Sequence, residues 1–501
     1  MVLVTAAPKI SQFTSVIPWE GRKWEVWEKT LYTSFQNPAL GVALALFVVP
    51  LSVLTLPFMP LISLALLRAP PPPTGRYEVG MSDVQQKLLS MSGEPMLRMR
   101  VFYPTESPSR ERPTWLPPGP AAGRYATAHG DALPFPKRVR LWLAPFLMWF
   151  IRHARMSERV SRDVPPSRAA EHGAASGWPL VLFSHGLYGC AAGYSGLCAE
   201  LASHGSCVVA LEHKDGSAVY TETDDGEAIT YNTELEREAQ QRRRVDEVRA
   251  VLGGLDDLRS QVEHLSQGEL AVDSSAVTLV GHSFGSSTAL RGAAELDHEK
   301  IAPKVSAVIA HDPWISGYDC QDDGTAGVPT LAVLTQSMMY PGNEEPLARV
   351  MRSVSSKAVV GGSRSEEAAV ALIEARETRH QEVSDYPSIN HLPLRFFCMA
   401  CSRDPHSTHR QQTELAVGFL ALAGVLSADD GGALATAREL TRRLMTKPTA
   451  EGVTDEEGAR FAVHGSVLPK AWTAPSAPVK AAPAAAAAAT TPGRNSPKEL
   501  I

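Results

Sequence analysis

Cysteine is scarce in this chain, with six in 501 residues, at positions 190, 198, 207, 320, 398 and 401. The spacing is too sparse and irregular for a disulfide framework in a chain of this length. Cys398 and Cys401 have the C-x-x-C spacing of half a zinc site, but no second pair completes it. The thiols are therefore expected to be free and buried, with no metal and no cofactor required. None of the five asparagines (37, 232, 343, 390, 495) begins an N-x-Ser/Thr sequon. The formal net charge is only -6 and the acidity is not clustered, so no footprint for nucleic acid exists. No internal repeat is present. Hydrophobic content of 44% and charged content of 20% fit a globular protein with a sizeable core.

Charge is missing altogether from residues 39–67, a stretch long enough to cross a bilayer as a helix. Pro50, Pro57 and Pro60 would bend it, so a kinked span, a re-entrant hairpin or an apolar arm packed on the protein body are the alternatives. Membrane association is the expectation, with an N-terminal arm at 1–38, and a cytoplasmic protein is the rival. Pro70 to Pro73 follow as a stiff polyproline spacer. A catalytic domain is expected over 77–447, with an insert at 104–178. Inside that insert, residues 141–151 form a short apolar run with basic residues on both sides, the whole lying within 137–159. It suits either a segment in the lipid headgroup layer or a buried lid helix. From 448 to 501 pattern is lost, and a disordered tail is expected.

Between these ends the chain alternates strand and helix. Residues 97–103 alternate like a strand with one wet face; 180–184, 207–211, 276–280, 305–310 and 330–334 read as buried strands. Residues 234–258 carry apolar side chains at helical spacing, with Arg242, Arg243 and Arg244 expected on the solvated face. Residues 415–425 and 433–445 read as terminal helices. The expected fold class is α/β, a mostly parallel sheet with helices on both faces.

Gly281-His282-Ser283-Phe284-Gly285 sits between the strand 276–280 and a run of small, helix-compatible residues. Strand, G-x-S-x-G, helix is the context of a nucleophile elbow, a turn so sharp that the serine is strained and its neighbours at ±2 must lack bulk. A serine nucleophile needs a base, and the base an orienting carboxylate. Along an α/β-hydrolase chain the order is Ser, acid, His. Asp312 directly follows the strand 305–310 and is the preferred acid, with Asp322 and Asp323 as rivals. His391, in the loop-like Ser388-Ile389-Asn390-His391, is the preferred base. His380, His406 and His409 compete, the last two in a polar segment expected to be solvent-exposed. An oxyanion hole takes two backbone N–H groups: Phe284 offers one, and Leu187, in Ser184-His185-Gly186-Leu187-Tyr188-Gly189, the other.

Residues 179–187 (PLVLFSHGL), 201–205 (LASHG) through 212–215 (EHKD), 280–285 (VGHSFG) and 312–314 (DPW) together resemble the plasma-type platelet-activating factor acetylhydrolases, calcium-independent phospholipid sn-2 ester hydrolases of the α/β-hydrolase fold. The likeness covers roughly 77–445. It implies a triad of Ser283, Asp312 and His391, oxyanion donors at Leu187 and Phe284, and an interfacial apolar patch in the insert. The family's histidine is usually followed by Gln, whereas His391 is followed by Leu392. The implied function is serine-dependent hydrolysis of a short or oxidised sn-2 acyl ester, with a phospholipid substrate met at a membrane or lipid surface. The alternatives are a general carboxylesterase or thioesterase on a soluble acyl substrate, and a catalytically silent lipid-binding homologue.

Overall fold

The computed structural model describes residues 68–87, 96–131, 151–223, 225–232, 234–299, 303–315, 327–360, 369–389, 404–427, 432–446 and 461–467. The expected apolar segment 39–67 and the run 141–150 lie outside the described residues. Among the described residues no helix is long and apolar enough to cross a membrane.

Twelve strands are present among the described residues: β1 Glu78–Lys87, β2 Met96–Thr105, β3 Val160–Arg162, β4 Trp178–Ser184, β5 Cys207–Glu212, β6 Tyr220–Glu222, β7 Ala228–Thr230, β8 Val272–His282, β9 Lys304–His311, β10 Thr330–Thr335, β11 Val370–Ala375 and β12 Phe461–Val467. Ten form one sheet in the order β12-β11-β10-β9-β8-β4-β5-β2-β1-β3, and β6 and β7 form a small separate hairpin. The run from β11 to β5 is parallel. Antiparallel pairs β2–β5, β1–β2 and β11–β12 flank it. The longer helices among the described residues are α1 Pro120–Asp131, α2 Ser195–Ser203, α3 Arg237–Gly253, α4 Leu255–Ser266, α5 Phe284–Glu299, α6 Pro341–Val360, α7 Pro405–Leu422 and α8 Ala433–Thr446.

The parallel strands read as nearly continuous apolar runs because both faces are covered. Alternate side chains of β4 enter two separate cores. Val181 and Phe183 pack with Leu197 and Leu201 of α2, Leu415 and Phe419 of α7 and Leu440 of α8. Leu180 and Leu182 pack with Val248 and Val251 of α3, Leu258 of α4, Leu290 of α5 and Leu347 of α6. Free, buried thiols are found at Cys190, Cys198 and Cys207; the other three cysteines lie outside the described residues.

Five expectations need correction. The single helix over 234–258 is two, because Gly253 and Gly254 interrupt it and α4 starts afresh at Leu255. Arg244 is not on a solvated face but fully buried, paired with Asp215. His409 is not an exposed loop residue. It lies on α7, which Asp404 caps by accepting from the Ser407 N–H, and it is buried. Part of the expected tail is β12, which extends the sheet by pairing antiparallel with β11 and buries Phe461. Residues 68–77 are also more than a spacer. Pro71 and Pro73 are buried, Thr74 N–H donates to Glu200 at 2.8 Å, and Tyr77 N–H donates to the Ser203 carbonyl at 3.0 Å.

Candidate active site

β8 carries the chain into the elbow and α5 carries it out. Ser283 sits at the apex with φ of 56°, a left-handed conformation that costs a non-glycine residue and persists only where its surroundings enforce it. The enforcement is visible. Ser283 N–H donates to the His311 carbonyl at 2.9 Å, and the Trp314 N–H donates back to the Ser283 carbonyl at 3.3 Å. A Cβ on Gly281 would fall 2.1 Å from the Gly285 carbonyl oxygen, and one on Gly285 would fall 2.0 Å from that of Ser184. The two glycines are thus a packing requirement of the turn.

Asp312 leaves the end of β9 with φ of 48°, on the strand beside β8. It is fully buried. Its Oδ1 accepts the Thr335 N–H at 2.6 Å and its Oδ2 the Thr335 hydroxyl at 2.7 Å. The acid named from the sequence thus lies at the end of the strand next to the one that carries Ser283.

The histidine between them is His380. Its Nδ1 lies 2.7 Å from Asp312 Oδ2 and its Nε2 lies 3.0 Å from Ser283 Oγ. This corrects the choice of His391, which lies outside the described residues. His380 begins a 3-10 turn, His380–Val383, just after β11. Its own N–H donates to Ser337 Oγ at 3.0 Å. The segment is anchored further on by Asp385, whose Oδ1 accepts the Gly196 N–H at 2.9 Å and whose Oδ2 accepts Trp115 Nε1–H at 2.8 Å. Burial pushes the Asp385 carboxyl up to about 7. A usable sequence signal existed: His380 is followed by Gln381, the His-Gln pair expected of the family and missing at His391. β11, which delivers His380 to the rim, is absent from the sequence reading. Of the rival acids, Asp322 and Asp323 lie outside the described residues. Of the rival bases, His406 and His409 are carried by α7, and His406 Nε2 bonds the Ala69 carbonyl at 2.9 Å instead.

His282 packs its ring 4.6 Å from that of His380. Its Nε2 meets the His380 carbonyl at 2.9 Å and its Nδ1 the Tyr194 hydroxyl at 2.8 Å. Burial, and then the neighbouring His380 and His311, hold it well below the usual histidine range, so it is a neutral prop for the His380 backbone. His282, Asp312 and His380 bring potential metal ligands within 4.8 Å of one another. All four ring nitrogens already face partners within the protein, an arrangement for moving a proton rather than for holding a cation.

Phe284 opens α5, so its N–H has no acceptor inside the helix. Leu187 lies in the loop between β4 and the turn at Cys190, where Tyr188 has φ of 61° and donates its N–H to the Ser217 carbonyl at 2.7 Å. Gly186 lies against the serine: a Cβ there would be 3.0 Å from Ser283 Cβ. Ser283, the loop carrying Leu187, and Phe284 therefore share one end of the sheet.

Comparison with known proteins bears on the fold and the family. The ferulic acid esterase from Streptomyces cinnamoneus superposes with a TM-score of 0.52 at 15% identity, covering 79% of this chain and 99% of that one. The likeness shows a shared fold, a mostly parallel sheet covered by helices on both faces. The platelet-activating factor acetylhydrolase of Bos taurus is 24% identical over 300 residues, 54% of this chain and 60% of that protein. The Cavia porcellus protein of the same name is 27% identical over 270 residues, 49% of this chain and 55% of that protein. The matched region thus spans a little over half the length of these relatives. The family model "Platelet-activating factor acetylhydrolase, isoform II" matches residues 67–430, from just before β1 through α7, and the chain belongs to that family.

Proposed function

We propose that the protein hydrolyses the short or oxidised sn-2 acyl ester of phospholipids by a serine mechanism. The observation that carries this reading is the hydrogen-bonded line from Ser283 Oγ through His380 to Asp312 at 3.0 and 2.7 Å, on a strained elbow, in a chain of this family. His380 Nε2 takes the proton of Ser283 as Oγ attacks the ester carbonyl. Asp312 fixes the ring with Nδ1–H toward itself and stabilises the imidazolium that forms. The Leu187 and Phe284 N–H groups receive the oxyanion. His380 returns the proton to the departing lysophospholipid oxygen. It then activates a water that cleaves the acyl-serine, leaving the free acid and the original hydroxyl.

A substrate of this class is met at a lipid surface, and the charge-free residues 39–67 and the apolar run 141–151 are the segments whose composition suits such contact. The relatives' name, platelet-activating factor acetylhydrolase, supports the substrate class. The test is hydrolysis of a short-acyl and a long-acyl phosphatidylcholine, without calcium, by the wild type and Ser283→Ala. Selective release of the short chain, lost by several orders of magnitude in the variant, is the expected result. Activity that survives Ser283→Ala overturns the site. Equal rates on both lipids overturn the substrate class. Removal of residues 1–67 should move the protein from vesicles to the soluble fraction, and unchanged partitioning would sink the membrane reading.

A further inference from the structure

Leu187 and Phe284 come from distant stretches of chain, yet an oxyanion hole works only if their N–H groups converge on one point. The following rests on the reading that these two groups form the hole. Both segments are gripped by one helix, α3. Arg244 is completely buried. Its Nη1 donates to the His185 carbonyl at 2.6 Å, at the root of the loop that carries Leu187. Its guanidinium lies 4.8 Å from the centroid of the Phe284 ring. Its Nε donates to Asp215 Oδ2 at 2.9 Å. Asp215 Oδ1 in turn accepts the Ser217 N–H at 3.1 Å, and the Ser217 carbonyl accepts from Tyr188, so the far end of the loop is tied to the same ion pair.

One turn earlier on the same face of α3 stands Gln241, also buried. Its Nε2 donates to the Phe284 carbonyl at 2.9 Å and its Oε1 accepts from Thr288 at 3.0 Å. A hydrophobic pair of similar volume would fill this space without the cost of desolvating two charges. A guanidinium adds direction, because its planar donors reach acceptors on fixed bearings.

We propose that Arg244 and Gln241 are positioning residues for the oxyanion hole, and that α3 sets the spacing between the Leu187 and Phe284 N–H groups. Neither side chain touches substrate. A shift of about 1 Å in such a constellation can cost about 100-fold in rate, so the effect should fall on kcat.

The test compares Arg244→Lys, Gln241→Met and Ser283→Ala on a short-acyl phosphatidylcholine, with inhibition by a trifluoromethyl ketone, which becomes an oxyanion when Ser283 adds to it. The expected result for Arg244→Lys and Gln241→Met is a fall in kcat of about 10-fold or more, KM within about two-fold, and inhibitor affinity weakened in parallel. A kcat close to wild type, or a loss confined to KM or to the melting temperature, overturns the proposal. Should Arg244→Lys lack a cooperative melt, Gln241→Met decides alone, since it leaves the Arg244–Asp215 pair intact. Ser283→Ala keeps the two readings apart: retained activity there overturns the site itself, whereas abolished activity with unaffected Gln241→Met overturns only the role of α3.

Discussion

Ser184 Oγ and His213 Nε2 stand 2.6 Å apart, closer than the 3.0 Å between Ser283 Oγ and His380 Nε2. A carboxylate completes the resemblance, with Glu247 Oε2 2.6 Å from His213 Nδ1. The first array still lacks what the second has. Ser184 ends an ordinary strand, whereas Ser283 is held at φ of 56°. The His213 ring is closed off, while 14% of the His380 side chain remains open to a reactant. Burial, reinforced by the Asp215 charge, pushes Glu247 up to about 8, and burial holds His213 well below the usual histidine range. This array is a structural tie beneath the Leu187 loop.

A fluorophosphonate probe should accordingly phosphonylate Ser283 and leave Ser184 unmodified, as read by peptide mass spectrometry. An adduct on Ser184 would break the distinction between a strained, accessible serine and a buried one.

His380→Ala should lower kcat by about 10,000-fold or more, as loss of a triad base does, whereas His391→Ala should stay within a few-fold of wild type. The reverse ranking in a short-acyl phosphatidylcholine assay would return the base to His391.

Thr335 donates twice to Asp312, through N–H and through hydroxyl. Thr335→Val keeps shape and backbone and removes only the hydroxyl. One hydrogen bond to a charged group is worth about 1.5 kcal/mol or more, which corresponds to about a 10-fold loss in kcat if the Asp312 carboxylate turns away from His380. Unchanged kcat would mean that the backbone N–H alone fixes the acid.

Glu212 is buried, with Oε2 accepting from Ala191 N–H and the Tyr125 hydroxyl, both at 3.1 Å. His185 Nε2 is 3.5 Å from Oε1, but burial, then the charge of Arg244, keep that imidazole well below its usual range and neutral. No ion pair therefore forms, and burial raises Glu212 to about 8 from an ordinary 4.5. Below pH 4.5 both folded and unfolded chains hold this proton, and its contribution to stability is fully present. As pH rises towards 8 the unfolded chain releases it first, so stability declines by up to about 1.4 kcal/mol per pH unit. Above pH 8 the decline stops. Glu212→Gln removes this dependence, so urea unfolding at pH 5, 7 and 9 should show the variant gaining on the wild type up to about pH 8. A constant gap across that range would mean that Glu212 is ionised in the fold.

Much of the fold was legible in the chain because it rests on local rules. Buried parallel strands are apolar runs, which is why 180–184, 207–211, 305–310 and 330–334 fall inside β4, β5, β9 and β10. β11, Val370–Ala375, carries Glu374 in an otherwise apolar segment and does not stand out as a strand in the sequence, and the case for His380 depends on a strand ending at Ala375. The charge run Arg242-Arg243-Arg244 reads as a solvated face because local pattern cannot reveal that Asp215, from another loop, meets the third of them.

The sequence by itself determined the elbow. G-x-S-x-G between a strand and a helix suffices, because the steric demands of that turn are set by the five residues and their immediate neighbours. It also placed Asp312, since the acid needs only the end of the next strand. Which histidine completes the line was decided by the tertiary structure, with Gln381 after His380 as the one clue in the chain. A hydrogen bond at 2.7 or 3.0 Å between residues 68 and 97 positions apart depends on how the sheet stacks its strand ends, and no local pattern encodes that distance.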